Sequence, residues 1–193
     1  MIAAVVPAAG KSARMGRPKL TLPLGNTTVI ERVITALRVG GVDRVLVVVG
    51  PHVPELAPLA TAAGADVYEL PHATADMRAT VEAGLTWLSD RGPPDAWLLC
   101  PADHPTLDAA AVRALIAAWR GEGVLVPTFD GRRGHPVLVA WSLVAGLRAM
   151  PAGQGIDAYL RRFAADTLEV PVTNAGVVRD MNTPGDYERL GMT

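Results

Sequence analysis

Apolar and amphipathic stretches alternate along most of the chain. The runs at 3–6, 45–49 and 96–100 hold only apolar residues, a pattern typical of strands that are covered on both faces of a parallel sheet. After Thr28, and again over 76–89, apolar residues recur every three or four positions, which predicts amphipathic helices. Strands that alternate with helices indicate an α/β fold with a doubly wound, mostly parallel sheet.

The other predicted elements are shorter or interrupted. In chain order they are a helix over 51–63 broken near Pro54 and Pro58, a strand over 65–70, a helix over 107–120, strands over 124–127 and 136–140, helices over 141–150 and 156–163, short strands near Leu168 and Val177, and a last helix capped by Thr183. No linker, repeat or low-complexity tract divides the chain. We therefore expect residues 1–193 to form a single domain.

Composition narrows the range of partners. Half of the 193 residues are hydrophobic, 19% are charged and the net charge is −1, so the chain lacks the basic footprint of a protein that binds nucleic acid or a membrane surface. The single cysteine, Cys100, lies in an apolar run and cannot form an internal disulfide. The first residues lead into a strand without a cationic leader, and no apolar run has membrane-spanning length. We expect a cytoplasmic protein.

Residues 7–19, which follow the first predicted strand, combine small residues with cations. The small residues at 8–10 allow main-chain amides to approach an anion closely. Lys11, Arg14 and Lys19 add full positive charges, and an arginine can contact two phosphate oxygens at once. The strand and loop together predict a binding site for a polyphosphate.

Two common phosphate-binding motifs do not fit this stretch. The P-loop requires Lys and then Ser or Thr directly after its second glycine, whereas Arg17 and Pro18 follow Gly16. The dinucleotide fingerprint GxGxxG is also absent after the first strand. The stretch is therefore either another kind of phosphate-binding loop or an ordinary basic surface loop.

Asp103 supplies a carboxylate close behind the strand predicted at 96–100. Ligands of open α/β sheets bind beyond the carboxyl ends of the strands, so Asp103 and the loop at 7–19 are expected at the same edge. A carboxylate beside a polyphosphate is well placed to hold Mg²⁺. The alternative is a turn or helix-capping aspartate, which is common at such positions. The adjacent His104 is expected to be a hydrogen-bonded loop residue without a chemical role.

Two further polar segments could contribute to a site. The arginine pair Arg132–Arg133 lies in the tip at 130–134 and suits an anionic ligand. The alternative is a charged, solvent-exposed hairpin tip with no ligand, which would have the same sequence pattern. Near the other end of the chain, Asn182 can bond to substrate or to metal-bound water. Helix capping is the competing explanation for this segment, in particular for Thr183 and Asp186.

Several of these segments resemble the signatures of the molybdenum cofactor nucleotidyltransferases. The family motif LAAGxSxRMGxxK is matched at 8–10, 12, 14–16 and 19, with Pro7 in place of Leu. The family motif GDxP is matched around Asp103, with Ala102 in place of Gly. The segment at 133–136 is similar to the RGHP of the cytidylyltransferase branch, and 180–186 is similar to the closing [DN]-x-[ND]-T-P-x-D.

The resemblance implies a fold like that of the nucleotide-diphospho-sugar transferases. It also implies transfer of CMP from CTP to molybdenum-bearing molybdopterin, with release of pyrophosphate, Mg²⁺ as cofactor and a molybdenum enzyme as a possible partner. The residues that the resemblance points to are Lys19, Arg14 and Asp103 for catalysis; Ala8, Ala9, Gly10, Lys11, Ser12, Arg14, Lys19, Arg78 and Thr80 for the nucleotide; His135, Arg133, Asp180 and Asn182 for the acceptor; and Asp103 and Asn182 for the metal.

Two stretches depart from the family pattern and leave alternatives open. The family's GMSxSL run is replaced at 76–81, where Arg78 is new, and its GDxGAR run is replaced at 153–157. The expectation of CTP rests on Ala9, since the guanine-using branch has AGG or GGG where this chain has AAG. The alternatives are a nucleotidyltransferase that uses GTP or a sugar phosphate, and a non-catalytic nucleotide-binding accessory protein.

Overall fold

The computed structural model describes residues 1–191 and has an eight-stranded sheet at its centre. The strands are β1 (Ile2–Ala8), β2 (Pro23–Leu24), β3 (Thr27–Thr28), β4 (Arg44–Val49), β5 (Asp66–Glu69), β6 (Ala96–Leu99), β7 (Val124–Phe129), β8 (Arg132–Arg133), β9 (Val137–Ala140) and β10 (Leu168–Pro171). The helices are α1 (Val29–Val39), α2 (Leu56–Ala62), α3 (Met77–Ser89), α4 (Ala109–Ala118), α5 (Val144–Arg148), α6 (Ile156–Leu160) and α7 (Pro184–Gly191).

The sheet order is β10-β7-β9-β6-β1-β4-β5, with β8 paired to β7, while β2 and β3 form a separate small hairpin. The pairs β1–β4, β1–β6, β4–β5 and β7–β10 are parallel, whereas β9 runs antiparallel to β6 and β7. This confirms the predicted doubly wound, mostly parallel sheet. Because β1, β4, β5 and β6 run in the same direction, the loops that follow them lie at one edge of the sheet.

Helices cover both faces of the sheet, which explains why its central strands are apolar on both sides. Alternate residues of β1 point to opposite faces, so Val6 joins a core with α1, α2 and α4, and Val5 joins a second core with α3, α5 and α6. The start of α1 follows from a local signal. The Thr28 hydroxyl accepts from the Glu31 amide while the Glu31 carboxylate accepts from the Thr28 amide, as the capping-box spacing predicts.

Two predicted features are wrong. Pro58 does not break α2, because it lies in the first turn of that helix, where its missing N–H has no partner to lose. Val177 is not in a strand but in a 3₁₀ turn over Ala175–Val178, where its carbonyl accepts a hydrogen bond from the main chain of His135.

Within residues 1–191, no helix combines the length and the apolar character needed to cross a bilayer.

Gly84 allows α3 to lie directly on β1 and β4. A Cβ at this position would come within 2.8 Å of Val48 Cγ2 and 2.9 Å of Val5 Cγ1. We expect Gly84→Ala to lower the free energy of unfolding by about 1–3 kcal/mol through overpacking, despite the better helix propensity of Ala. Urea unfolding measures this, with the exposed Thr86→Ala in the same helix as the control. Equal midpoints for Gly84→Ala and the parent protein would contradict this close packing.

Candidate active site

The loop after β1 is fixed by its own side chains. Ser12 has a left-handed backbone with φ of 50°, and a 3₁₀ turn over Ala13–Met15 follows. Met15 is buried in the core below, and Gly16 ends the turn with φ of 67°, a conformation that glycine adopts without strain. The Ser12 hydroxyl accepts a hydrogen bond from the Lys19 amide at 3.2 Å, which closes the loop and sets the direction of the Lys19 side chain.

The ammonium of Lys19 connects this loop to two others. It donates to Asp103 Oδ2 at 2.6 Å, to the Met181 carbonyl at 2.9 Å and to Asn182 Oδ1 at 2.9 Å, which uses all three of its N–H donors. The Lys19 and Asp103 side chains are 15% and 21% exposed, so water screens their attraction less than it would at an open surface. Three segments far apart in sequence therefore meet at one cation.

Asn182 extends this cluster to Arg14 and Asp180. Asn182 Oδ1 also accepts from Arg14 Nη2 at 2.9 Å, and its amide nitrogen donates to the carboxylate of Asp180. The main chain helps, because the Met181 amide donates to the Asp103 carbonyl at 2.8 Å. The segment 180–182 is thereby held against the loop after β6.

Asp186 secures the same segment from α7. The amides of Asn182 and Thr183 and the Thr183 hydroxyl donate to its carboxylate, and these hydrogen bonds lower the pKa of Asp186 to about 2. The expected capping role of Thr183 and Asp186 is thus present, and it fixes Asn182 rather than competing with it.

A first cleft of about 580 Å³ opens above the loop after β1. Its walls are residues 7–14, 73–77 and 101–103, together with Lys19, Leu20 and Asn182. Lys11 lies on this cleft, is exposed, and has no hydrogen-bond or ion-pair partner in residues 1–191. The cleft has the small residues, amides and cations that an elongated polyphosphate requires.

A second cleft of about 460 Å³ meets the first at Arg14, Pro101, Asp103 and Asn182. Its other walls are His104, Arg132, Arg133, Gly134, His135, Val177, Val178 and Asp180. The residues expected to contact the acceptor therefore lie together in the second cleft. Of the expected catalytic residues, Arg14 and Asp103 lie where the two clefts join, and Lys19 of the first cleft is bound to Asp103.

His135 forms an uncharged part of the second cleft. Its amide donates to the Val177 carbonyl at 2.7 Å, and a Cβ on the preceding Gly134 would come within 2.2 Å of that oxygen. Burial and the neighbouring His104 ring, 5.3 Å away between centroids, lower the pKa of His135 to about 4. His135 is therefore neutral near pH 7. His104 is buried with Nδ1 3.2 Å from the Gly176 carbonyl, consistent with the hydrogen-bonded loop residue expected.

The two arginines of the predicted tip behave differently. Arg133 Nε donates to Glu169 Oε1 at 2.8 Å, and its Nη2 donates to the Ala164 carbonyl at 3.3 Å. Arg132 also lines the second cleft, and within the described part of the chain its side chain has no hydrogen-bond or ion-pair partner. The guanidinium of Arg132 is thus available to a ligand, whereas that of Arg133 is already hydrogen-bonded within the protein.

Arg78 and Thr80 do not line either cleft, contrary to their expected role with the nucleotide. All five N–H donors of Arg78 are engaged with Glu82 and with main-chain carbonyls over 147–154. Thr80 is buried, and its hydroxyl bonds the Thr74 hydroxyl at 2.6 Å and the Asp76 carbonyl at 3.2 Å. In this structure both side chains therefore bond to main-chain and buried polar groups rather than line the first cleft.

Sequence reasoning also missed two parts of the site. Residues 73–75 line the first cleft together with 76–77 of the stretch already compared with the family, and the rule that parallel strands end at one edge would have found them after β5. The Met181 carbonyl binds Lys19 through the main chain, for which the residue type gives no signal.

The oxygen atoms at the junction suit a hard divalent cation. The carboxylates of Asp103 and Asp180, the Asn182 amide oxygen and the Met181 carbonyl are the oxygen ligands that Mg²⁺ prefers. No group of three or more acidic, histidine or cysteine side chains arranged for a metal occurs within residues 1–191. Protein sites for Mg²⁺ commonly use one or two carboxylates and complete the shell with substrate phosphates and water.

The architecture matches that of solved structures, one of which is a nucleotidyl transferase. A nucleotidyl transferase from Methanothermobacter thermautotroptrophicus superposes with a TM-score of 0.83 at 25% identity, covering 100% of this chain and 96% of that one. Rv0371C of Mycobacterium tuberculosis, crystallised in complex with manganese, gives a TM-score of 0.81 at 24% identity, with coverage of 100% and 98%. The central sheet with its flanking helices is the nucleotide-diphospho-sugar transferase fold.

Sequence comparison gives the family. The MobA-like NTP transferase domain matches residues 4–169, and the chain belongs to that family of nucleotidyltransferases. It is 26% identical to the molybdenum cofactor cytidylyltransferase of Escherichia coli (strain K12), over 95% of this chain and 92% of the relative. It is 30% identical to the 2-C-methyl-D-erythritol 4-phosphate cytidylyltransferase of Nocardia farcinica (strain IFM 10152), over 95% and 82%. These relatives favour an enzyme over the non-catalytic accessory protein.

The position of the Lys19 ammonium predicts how metal binding responds to mutation. It lies among three oxygens that would otherwise attract a divalent cation. A positive charge about 4 Å away costs a divalent cation on the order of 2 kcal/mol at the dielectric constant of water, and more at lower effective dielectric values. We therefore expect Lys19→Met to raise the affinity for Mn²⁺, without nucleotide, by about tenfold or more. Isothermal titration calorimetry measures this.

Lys11→Met is the matched control, since it makes the same change of net charge at a lysine that contacts none of these oxygens. Its Mn²⁺ affinity should stay near that of the parent protein. Equal affinities for Lys19→Met and Lys11→Met would show that Lys19 does not compete with a metal.

Proposed function

We propose that this protein transfers CMP from CTP to the phosphate of molybdenum-bearing molybdopterin and releases pyrophosphate. The observation that carries the proposal is the Lys19 ammonium bound to Asp103 and Asn182, at the point where the two clefts meet. A cleft with polyphosphate-binding features and a cleft with acceptor features share this junction. One substrate in each cleft would bring the reacting phosphates together there.

In this proposal the first cleft holds CTP with its base between Ala9 and residues 73–77, all of which line that cleft. The amides and Lys11 of the loop after β1, together with Arg14, bind the β- and γ-phosphates. Lys19 stabilises the charge that develops on the α-phosphate, because such electrostatic stabilisation is the main protein contribution to phosphoryl-type transfer. Lys19 must then exchange one or more of its present contacts for phosphate oxygens.

The second cleft holds the acceptor. Arg132, Arg133 and the neutral His135 bind its polar groups, while Asp180 and Asn182 border its reacting end. Asp103, with Asn182 or Asp180, is placed to hold Mg²⁺, and the ion when bound supplies positive charge to the phosphate oxygens. Asn182 Oδ1 already accepts hydrogen bonds from two cationic side chains. Asp103 is therefore the primary candidate for the metal ligand.

The proposed reaction is a direct in-line displacement. An oxygen of the acceptor phosphate forms a bond to the α-phosphorus of CTP, and the bond from that phosphorus to the bridging oxygen breaks. Pyrophosphate leaves with the electron pair. We propose that no covalent intermediate forms. Cys100 is fully buried, and burial raises the pKa of its thiol well above the usual range.

The identity of the acceptor rests on the motifs and on the relatives. The Escherichia coli relative acts on the molybdenum cofactor, and the Nocardia farcinica relative on 2-C-methyl-D-erythritol 4-phosphate. The motifs around Lys19 and His135 favour the first. The higher identity of the second makes methylerythritol phosphate the competing acceptor.

A panel of substrates tests the assignment. Each of CTP, GTP, ATP and UTP is incubated with Mg²⁺ and either loaded molybdopterin or 2-C-methyl-D-erythritol 4-phosphate, and pyrophosphate release is measured. We expect release with CTP and loaded molybdopterin. Pyrophosphate release only with 2-C-methyl-D-erythritol 4-phosphate would show that this compound, and not molybdopterin, is the acceptor. Pyrophosphate release with none of the pairs would contradict the proposal.

Asp103→Ala should abolish most turnover while leaving the fold intact, because its side chain belongs to a loop at the cleft. Loss of an electrostatic group of this kind costs on the order of a hundredfold or more in rate. Asp108→Ala is the control, since Asp108 caps α4 in the same region and its loss should affect stability rather than rate. Near-normal turnover of Asp103→Ala would remove Asp103 from the mechanism.

Ala9→Gly should weaken the preference for CTP over GTP. Ala9 lines the first cleft, and its methyl group takes space that a purine would need but a pyrimidine leaves free. One methyl group contributes about 1–3 kcal/mol of discrimination, so we expect the gap to narrow without reversing. Thermal shifts with each nucleotide measure it, with Ala13→Gly as control. Equal shifts from CTP and GTP in the parent protein would contradict the cytidylyl assignment.

A further inference from the structure

The guanidinium of Arg78 makes an unusually complete set of contacts. Nε donates to Glu82 Oε1 at 2.7 Å, while Nη1 and Nη2 donate to the carbonyls of Pro151 at 2.7 Å, Gln154 at 3.0 Å, Met150 at 3.0 Å and Leu147 at 3.5 Å. The side chain is only 11% exposed. A cation in the first turn of a helix is unfavourable for that helix. The contacts outside α3 therefore account for its position.

The carbonyls that Arg78 binds belong to the end of α5 and to the connection between α5 and α6. Residues 151–155 of this connection are all exposed, so burial of apolar side chains does not hold them. Their internal main-chain pairing is sparse, with Gln154 donating to the Pro151 carbonyl at 3.4 Å. Among residues 1–191, Arg78 is the one side chain that hydrogen bonds the main chain of 150–155.

This connection leads through α6 to residues beside the second cleft. Ile156, the first residue of α6, is buried in the same core as Val137, which lies two residues after His135. After α6 and the 3₁₀ turn Arg161–Phe163, the Ala164 carbonyl accepts a hydrogen bond from Arg133 Nη2 at 3.3 Å. Because Arg133 and His135 both line the second cleft, the segment that begins at Ile156 borders the acceptor side of the site.

The helix that carries Arg78 does not itself depend on that side chain. Val81, Leu85 and Leu88 are fully buried against the sheet, and Asp76 caps the helix by accepting from the Ala79 amide at 2.8 Å. Removal of the guanidinium should therefore leave α3 and the first cleft in place. The connection 150–155 would lose its fixed position.

We propose that Arg78 is a positioning residue that fixes the connection between α5 and α6 against α3 and so holds the acceptor side of the site in place. The inference rests on the proposed function, because it takes the second cleft as the acceptor site. It also unites the two departures from the family pattern, since Arg78 in the stretch 76–81 binds the carbonyl of Gln154 in the stretch 153–157. The two altered stretches form one contact.

The test compares Arg78→Ala, Arg78→Lys and the control Glu82→Gln, which leaves the contacts of Arg78 with the carbonyls in place. Three readouts are measured: hydrogen exchange of the amides over 149–157, the Kd for CTP by calorimetry, and the KM for the acceptor that the substrate panel identifies. In Arg78→Ala we expect the amides over 149–157 to exchange faster than in the parent protein, while the exchange rates in α1 stay unchanged. The Kd for CTP should stay within about twofold, and the acceptor KM should rise about tenfold. Arg78→Lys, with three donors instead of five, should be intermediate.

Unchanged exchange over 149–157 in Arg78→Ala would overturn the proposal, as would equal rises in the Kd for CTP and the KM for the acceptor. A general loss of stability would speed exchange in α1 as well and would also count against it. Should Arg78→Ala fail to fold, Arg78→Lys against Glu82→Gln decides by the same criteria. If the parent protein turns over no acceptor, the proposed function fails, while exchange and CTP binding still report whether Arg78 fixes the connection.

Discussion

The candidate site depends on one ammonium group. Lys19 reaches from the loop after β1 to a carboxylate that follows β6 and to a main-chain carbonyl and an amide oxygen near the start of α7. Met15, Ala102 and Met181 from the three segments are buried in the same core, and the ammonium joins polar atoms of the same segments. All three of its donors are satisfied, so the partly buried charge of Lys19 is stabilised by one carboxylate and two neutral oxygens.

The sheet makes this meeting possible. β1 lies between β6 and β4, so the loops after β1 and β6 leave the same edge side by side. The segment 180–182 completes the group because the Met181 amide bonds the Asp103 carbonyl. Two clefts then share one wall, with phosphate-binding character on one side and a mixture of arginine and neutral histidine on the other. Such a shared wall suits an enzyme that joins two anionic substrates.

Local and periodic signals made much of this architecture predictable. The apolar run at 45–49 and the capping box at Thr28 depend on neighbouring residues alone, and both have the predicted structure. The positions of Lys19 and Asp103 follow from the rule for strand ends. Arg78 could not be placed in this way, because its partners are main-chain carbonyls some seventy residues away, and a carbonyl is the same in every residue type.

A crystal structure with Mg²⁺ and a CTP analogue that carries a methylene group between the α- and β-phosphorus atoms tests the account most directly. The account predicts the α-phosphate within hydrogen-bonding distance of Lys19 Nζ, the β- and γ-phosphates along 10–14, and the base between Ala9 and residues 73–77. The second cleft should remain open for the acceptor. A triphosphate bound in the second cleft, or an α-phosphate out of reach of Lys19, would contradict it.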